Sequence, residues 1–130
     1  MYITNIQPRL SETNGTGHIS NTVVPVWLEA GITEINTLFI PDVDFAKWNL
    51  ILAHSSIDYV GQLYYGKPAE VQTTIQKIGN SSFTIYQEIY QDHQLCVKAI
   101  TVYVHFNYET QKPEAIPDSI RSELEKHKDE

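Results

Sequence analysis

The run from Val23 to Phe39 limits the fold more than any other part of the chain. On a 3.6-residue period, Val23, Val24, Val26, Trp27, Leu28, Ala30, Ile32, Ile35, Leu38 and Phe39 cover most of a helix circumference. Glu29, Thr33 and Asn36 leave only a narrow polar stripe. A helix that is apolar nearly all round has to be buried, and a chain of 130 residues achieves this by curling a sheet around it. Asn21 or Thr22 is the expected N-cap, Pro25 falls in the first turn where its missing N–H costs little, and Ile40-Pro41-Asp42 ends the helix.

The flanking segments supply that sheet. Met1–Arg9 reads as a short strand ending near Pro8, and Phe45–Leu63 contains a long β-prone run. Ala69–Ile78 alternates Val71, Thr73, Ile75 and Lys77 against Glu70, Gln72, Thr74 and Gln76. After the Gly79-Asn80 turn, Ser82–Gln91 sets Phe83, Ile85, Gln87 and Ile89 against Thr84, Tyr86, Glu88 and Tyr90. Asp92-His93-Gln94 turns the chain into Leu95–Tyr108, with Val97, Ala99, Thr101, Tyr103 and His105 on one face. Pro113–Pro117 reads as a linker, Asp118 as the cap of a short helix over Ser119–His127, and Lys128-Asp129-Glu130 as a frayed tail. The order is strand, helix, then four antiparallel strands, in one domain spanning residues 1–130.

Composition narrows the function classes. A net charge of −7 argues against nucleic acid or an anionic membrane as partner. Glu29 and Glu34 interrupt the longest apolar segment, which excludes a transmembrane helix there. The first residues carry neither a charged nor an apolar leader region, and the single cysteine, Cys96, allows no internal disulfide. Cys96 reads as a buried small hydrophobe, and the expected location is cytoplasmic. The five histidines are too scattered to suggest a metal site, so no metal and no cofactor is expected.

Ahead of the helix stands Glu12-Thr13-Asn14-Gly15-Thr16-Gly17-His18-Ile19-Ser20-Asn21, a loop dense in turn-forming residues. This loop, running into Trp27-Leu28-Glu29-Ala30, closely resembles the hotdog-fold acyl-CoA thioesterases of the 4-hydroxybenzoyl-CoA thioesterase type, whose loop is roughly Asp-x-Asp-x-x-Gly-His-Val-Asn-Asn. Ile57-Asp58-Tyr59 with Gly66, and Gly79-Asn80-Ser81-Ser82-Phe83, fall where that family has comparable strand and turn motifs. The resemblance implies an α+β hotdog fold: five antiparallel strands wrapped around one long central helix. It also implies an acyl-CoA or acyl-carrier thioester as partner, with coenzyme A entering only as part of the substrate, and a homodimer or dimer of dimers. The family's second aspartate attacks the thioester or activates water, while a backbone N–H at the helix start polarises the carbonyl. Here that donor corresponds to Asn21, with Gly17 and His18 shaping the approach.

The loop departs from the family at its acids. Glu12 replaces the first, and Asn14, which can neither accept a proton nor attack as an anion, replaces the second. A related plant-type pattern uses Asp, Asn and His alternately, and of those only His18 remains because Thr16 takes the Asn position. The candidate catalytic groups are therefore Asn14, which orients substrate or water or simply makes a turn, His18 as proton shuttle, and Glu29 or Asp58 as reserve carboxylates. Gly17, Ile19, Asn21, His54 and Ser82 are the candidate oxyanion and substrate-binding positions. His54 and Asp58 lie four apart on one strand and share a face. The alternative function is a hotdog module that binds an acyl thioester or lipid without cleaving it.

Overall fold

The computed structural model describes residues 1–42 and 44–128. In chain order the elements are β1 (Tyr2–Ile6), α1 (Val24–Ala30), α2 (Thr33–Phe39), β2 (Leu50–Tyr59), β3 (Ala69–Ile78), β4 (Ser82–Gln91), β5 (Gln94–Asn107), β6 (Lys112–Pro113) and α3 (Asp118–Glu125). Five strands pair antiparallel in the order β1-β3-β4-β5-β2, and the two-residue β6 adds to β5. The sheet packs one face against α1 and α2, giving the α+β hotdog arrangement that the loop resemblance implies. β3 and β4 have the bounds that the alternation predicts, because every second residue of β4, from Phe83 to Gln91, is buried.

The single long helix is not found: the chain makes two seven-residue helices, α1 and α2, broken at Gly31-Ile32. The break is chemical. The Gln87 amide donates to the Leu28 carbonyl at 2.8 Å, which it shares with the Gly31 N–H at 3.0 Å, and the Thr73 hydroxyl donates to the Gly31 carbonyl at 3.1 Å, while the Ile32 N–H turns to the Glu29 carbonyl instead of Leu28. Nor is the helical segment covered all round. Val24, Trp27, Leu28, Ile35 and Phe39 are buried, but Pro25, Val26, Glu29 and Ala30 are exposed, Val26 by 59%. The expected cap at Asn21 or Thr22 is also absent; Val23 holds the N-cap position without a side-chain bond, and Ser20 Oγ accepts from the Thr22 N–H instead.

The core is two apolar clusters. Phe83, Ile85, Ile75 and Leu124 surround α2, and Val71, Ile89 and Val97 surround α1. Fully burying side chains of this size contributes roughly 1.5–3 kcal/mol each. Thr73 and Gln87, both buried, form a polar seam at the helix break. Four expectations change at the edges. A bulge between Ile75 and Lys77 turns Lys77 outward and puts Ile78 on the core side. Pro113–Pro117 is not a free linker: Lys112–Pro113 pairs with β5, Ile116 is buried, and its N–H donates to the Asn80 carbonyl. Asp118 is the first residue of α3, with Pro117 at the cap position. The tail is held as far as Lys128, which bridges to Ile75 beside the bond from the Ile75 N–H to the His127 carbonyl. Asp129 and Glu130 lie outside the described residues.

Candidate active site

Positive φ at Gly15 (91°) and Gly17 (84°) lets the loop double back on itself, a conformation that side chains with a Cβ rarely adopt. The Asn14 N–H donates to the His18 carbonyl at 3.0 Å and the Ser20 N–H to the Glu12 carbonyl at 2.9 Å, closing a narrow hairpin. Its second side is stitched to the segment before β3: the Ile19 N–H donates to the Leu63 carbonyl at 2.8 Å and the Tyr65 N–H to the Gly17 carbonyl at 2.9 Å. The Ile19 side chain, 4% exposed, plugs into the core beneath.

Glu12 fastens the loop to α1. Its Oε2 accepts from the Trp27 indole N–H at 2.9 Å and its Oε1 from the Arg9 N–H at 2.7 Å. Glu12→Ala removes both acceptors and leaves the indole N–H of a buried Trp27 unpaired, which costs about 1–3 kcal/mol. The expected result is a lower urea midpoint with an unchanged slope; an unmoved midpoint shows that water replaces the carboxylate there.

At the hairpin tip three side chains form a chain of contacts. Asn14 Oδ1 accepts from the Thr16 N–H at 3.3 Å and lies 2.7 Å from Thr16 Oγ1, which is 2.9 Å from His18 Nδ1. The His18 ring tilts against Tyr64, with centroids 4.9 Å apart. Among the described residues, the backbone N–H groups of His18 and Asn21 have no acceptor in the chain; that of His18 faces Asn14 across the hairpin, and that of Asn21 lies in the exposed turn before α1. Tyr59, on β2, donates its hydroxyl to the Asn21 carbonyl at 3.0 Å and fixes the turn that carries one of these donors.

A cleft of about 290 Å³ begins one turn farther on, between the helices and the inner faces of β2 and β5. Leu28, Ile32, Trp48, Leu50, Leu52 and Ile57 give it an apolar wall, and Glu29, Ser55, Thr101, Tyr103 and Gln87 add polar groups. Burial, reinforced by the Glu29 carboxylate, pushes the Tyr103 hydroxyl above its ordinary pKa and keeps it protonated. Gln87 is only 2% exposed, and its amide nitrogen is committed to Leu28 and Thr73, which leaves its carbonyl oxygen for the cleft.

The structure gathers Asn14, Gly17, His18, Ile19 and Asn21 in the loop, though the Ile19 N–H is spent on Leu63. Glu29 lines the cleft along the same helix. His54 and Asp58 share a face, as their spacing requires, but it is the outer face: His54 pairs with Val102, and Asp58 pairs with Lys98 beside Tyr86. Ser82 starts β4, whereas Gln91 at the other end binds Tyr64 next to His18, so Ser82 stands roughly 30 Å away along the strand. Sequence reasoning misses Thr16, Tyr59 and Gln87. A polar Gln87 amid Phe83, Ile85 and Ile89 is the available signal for the last. Cys96 is buried, and burial pushes its thiol up. Among the described residues no three His, Cys, Asp or Glu side chains cluster as metal ligands, and no helix is long and apolar enough to cross a membrane.

Comparison with known proteins places this geometry. The family model of the thioesterase-like superfamily matches residues 8–124. A predicted thioesterase from Bacillus stearothermophilus is 50% identical, with 99% of this chain and 97% of that one covered and a TM-score of 0.95. At 19% identity, a thioesterase from Thermus thermophilus complexed with coenzyme A and Zn aligns over 95% of this chain and 96% of that one, TM-score 0.83. A 1,4-dihydroxy-2-naphthoyl-CoA thioesterase from Synechocystis aligns at 23% identity over 95% and 94%, TM-score 0.78. The likeness to the last two is one of fold. No curated protein matches the chain.

Proposed function

The chain belongs to the thioesterase-like superfamily, and from that premise we propose that it hydrolyses an acyl-CoA thioester to free acid and thiol. One observation supports the reading: among the described residues the Asn21 backbone N–H has no acceptor in the chain, and the turn that carries it, next to His18, leads into the helix whose Pro25, Leu28 and Glu29 line an apolar cleft. The acyl group lies along the cleft against Leu28, Ile32 and Ile57, with the thioester carbonyl at the loop. The Asn21 N–H receives the carbonyl oxygen as it becomes an oxyanion. His18 takes a proton from water as the water oxygen bonds to the carbonyl carbon. Collapse of the tetrahedral adduct breaks the C–S bond, and the imidazolium returns its proton to the departing thiolate. Asn14 contributes no proton transfer in this scheme, which makes the reaction slower than with a carboxylate at that place.

The working unit in this reading is a homodimer, with a dimer of dimers as its further assembly. β2 is a ten-residue edge strand with one side unpaired, and it exposes Leu52 and Tyr59, with Val60 just beyond, while α1 exposes Val26. An open, apolar edge of this length is the kind of surface that a second copy covers. A reducing cytoplasmic location suits the single buried thiol.

The test is thiol release from a panel of aliphatic and aromatic acyl-CoA esters, followed with a thiol reagent. The expected result is enzyme-dependent release with at least one ester. Tight acyl-CoA binding by calorimetry with no thiol released over hours would instead establish a non-catalytic binding module.

A further inference from the structure

The Thr16 hydroxyl sits between two side chains that the proposed reaction treats differently, and proton counting fixes which way each bond runs. The Thr16 backbone N–H can only donate, so the Asn14 atom 3.3 Å from it is the amide oxygen. That same oxygen is 2.7 Å from Thr16 Oγ1, and a carbonyl oxygen only accepts, so the single hydroxyl proton points toward Asn14. With its proton committed, Thr16 Oγ1 can meet His18 Nδ1, 2.9 Å away, only as an acceptor. The proton of a neutral His18 must then sit on Nδ1. Nε2 is left with an open lone pair and no partner in the chain among the described residues.

We infer that Thr16 is a positioning residue: its hydroxyl, oriented by the Asn14 amide oxygen, holds His18 in the Nδ1–H tautomer with Nε2 free as the base. The Nδ1–H form is the less favoured tautomer of free histidine, so the loop imposes it, as a neighbour on one ring nitrogen sets the role of the other. The arrangement gives Asn14 a task that needs no charge. A neutral amide oxygen suffices to aim the hydroxyl, so replacing a carboxylate by Asn14 removes an anion from the loop yet leaves the order Asn14–Thr16–His18 intact. It also assigns the glycines on either side: positive φ at Gly15 and Gly17 brings three alternate residues of the tip to one side. The catalytic role of this device rests on the thioester-hydrolysis reading above, whereas the tautomer itself does not.

The experiment is long-range proton–nitrogen correlation NMR on protein labelled with 15N-histidine, at a pH where the rings are neutral, with the His18 signals assigned by their loss in His18→Ala. Wild type is expected to show protonated Nδ1 and bare Nε2 at His18. Thr16→Val, which keeps the shape but neither donates nor accepts, should move His18 toward Nε2–H, and Thr16→Ser should restore Nδ1–H. Where hydrolysis is measurable, kcat falls about tenfold or more in Thr16→Val, with KM little changed, and recovers in Thr16→Ser. Amide spectra of the three proteins verify that the fold is kept. An Nε2–H tautomer in wild type, or an Nδ1–H tautomer unaffected by Thr16→Val, overturns the inference. An imposed tautomer with no thiol release on any ester sustains it and counts against the hydrolase reading alone.

Discussion

Asn14→Asp is expected to raise kcat/KM on the best acyl-CoA ester by about 10²–10⁴-fold, the range that a positioned base contributes. The substitution is nearly isosteric, and its bonds survive: a carboxylate oxygen accepts from the Thr16 N–H and hydroxyl as the amide oxygen does, and more strongly because it is charged. Asn14 is exposed, so an anion there carries little desolvation cost. Two routes to the gain are separable. If the new carboxylate itself takes the proton from water, adding His18→Ala leaves most of the gain. If it acts through Thr16 by favouring the imidazolium of His18, adding His18→Ala abolishes the gain. Asn14-Gly15 is a deamidation-prone pair, so wild type has to be assayed fresh and its intact mass confirmed. An Asn14→Asp rate equal to that of mass-verified wild type shows that a carboxylate at this place neither takes the proton nor assists His18, and Glu29 on the cleft wall becomes the next carboxylate to replace.

The parts of the structure legible in the sequence are those fixed by local rules. β4, and β3 as far as its bulge after Ile75, follow from alternation closed by Gly79-Asn80, and the loop follows from its glycines and histidine. What stays hidden depends on partners far along the chain or on single extra residues. The helix break at Gly31 is set by Thr73 and Gln87, 42 and 59 residues from the carbonyls that they hold. An isolated glycine in a helical pattern costs only about 1 kcal/mol and announces no such break. In β2, the register shifts between Leu52 and His54. Two residues apart on a regular strand, these side chains would share a face; the bulge keeps Leu52 on the cleft and turns His54, Ser56 and Asp58 outward. Spacing puts His54 and Asp58 together, but alternation alone does not say on which side. Thr16 escapes notice for a related reason. In the loop pattern it stands only as the replacement for an asparagine, whereas its role follows from the protons of its two neighbours.

Gly31→Ala is expected to destabilise the fold by about 2–4 kcal/mol, the sum of overpacking and a disturbed buried hydrogen bond. The backbone is not the obstacle: Gly31 has φ −72° and ψ −10°, a conformation open to alanine. The added methyl would stand 2.7 Å from Val71 Cγ1, 2.8 Å from Gln87 Nε2 and 3.1 Å from Thr73 Oγ1. Val71 and Thr73 are on β3, Gln87 is on β4, and all three are buried in the sheet on which the helices rest, so none has solvent to move into. Either the helix pair lifts off the sheet or Gln87 swings away, and swinging away leaves the Leu28 carbonyl with only the Gly31 N–H as donor and disturbs one wall of the cleft. For a chain of this length the melting temperature should fall by roughly 5–15 °C. Alanine's helix propensity opposes this by up to about 1 kcal/mol, which sets the two explanations of the break against each other. If low propensity at Gly31 causes it, Gly31→Ala stabilises the chain and fuses α1 with α2. If the close approach of the sheet causes it, Gly31→Ala destabilises, and Val71→Ala in the same molecule recovers part of the loss by making room for the methyl. A double-mutant cycle over the two substitutions reads that coupling, and a coupling near zero would rule out the steric account.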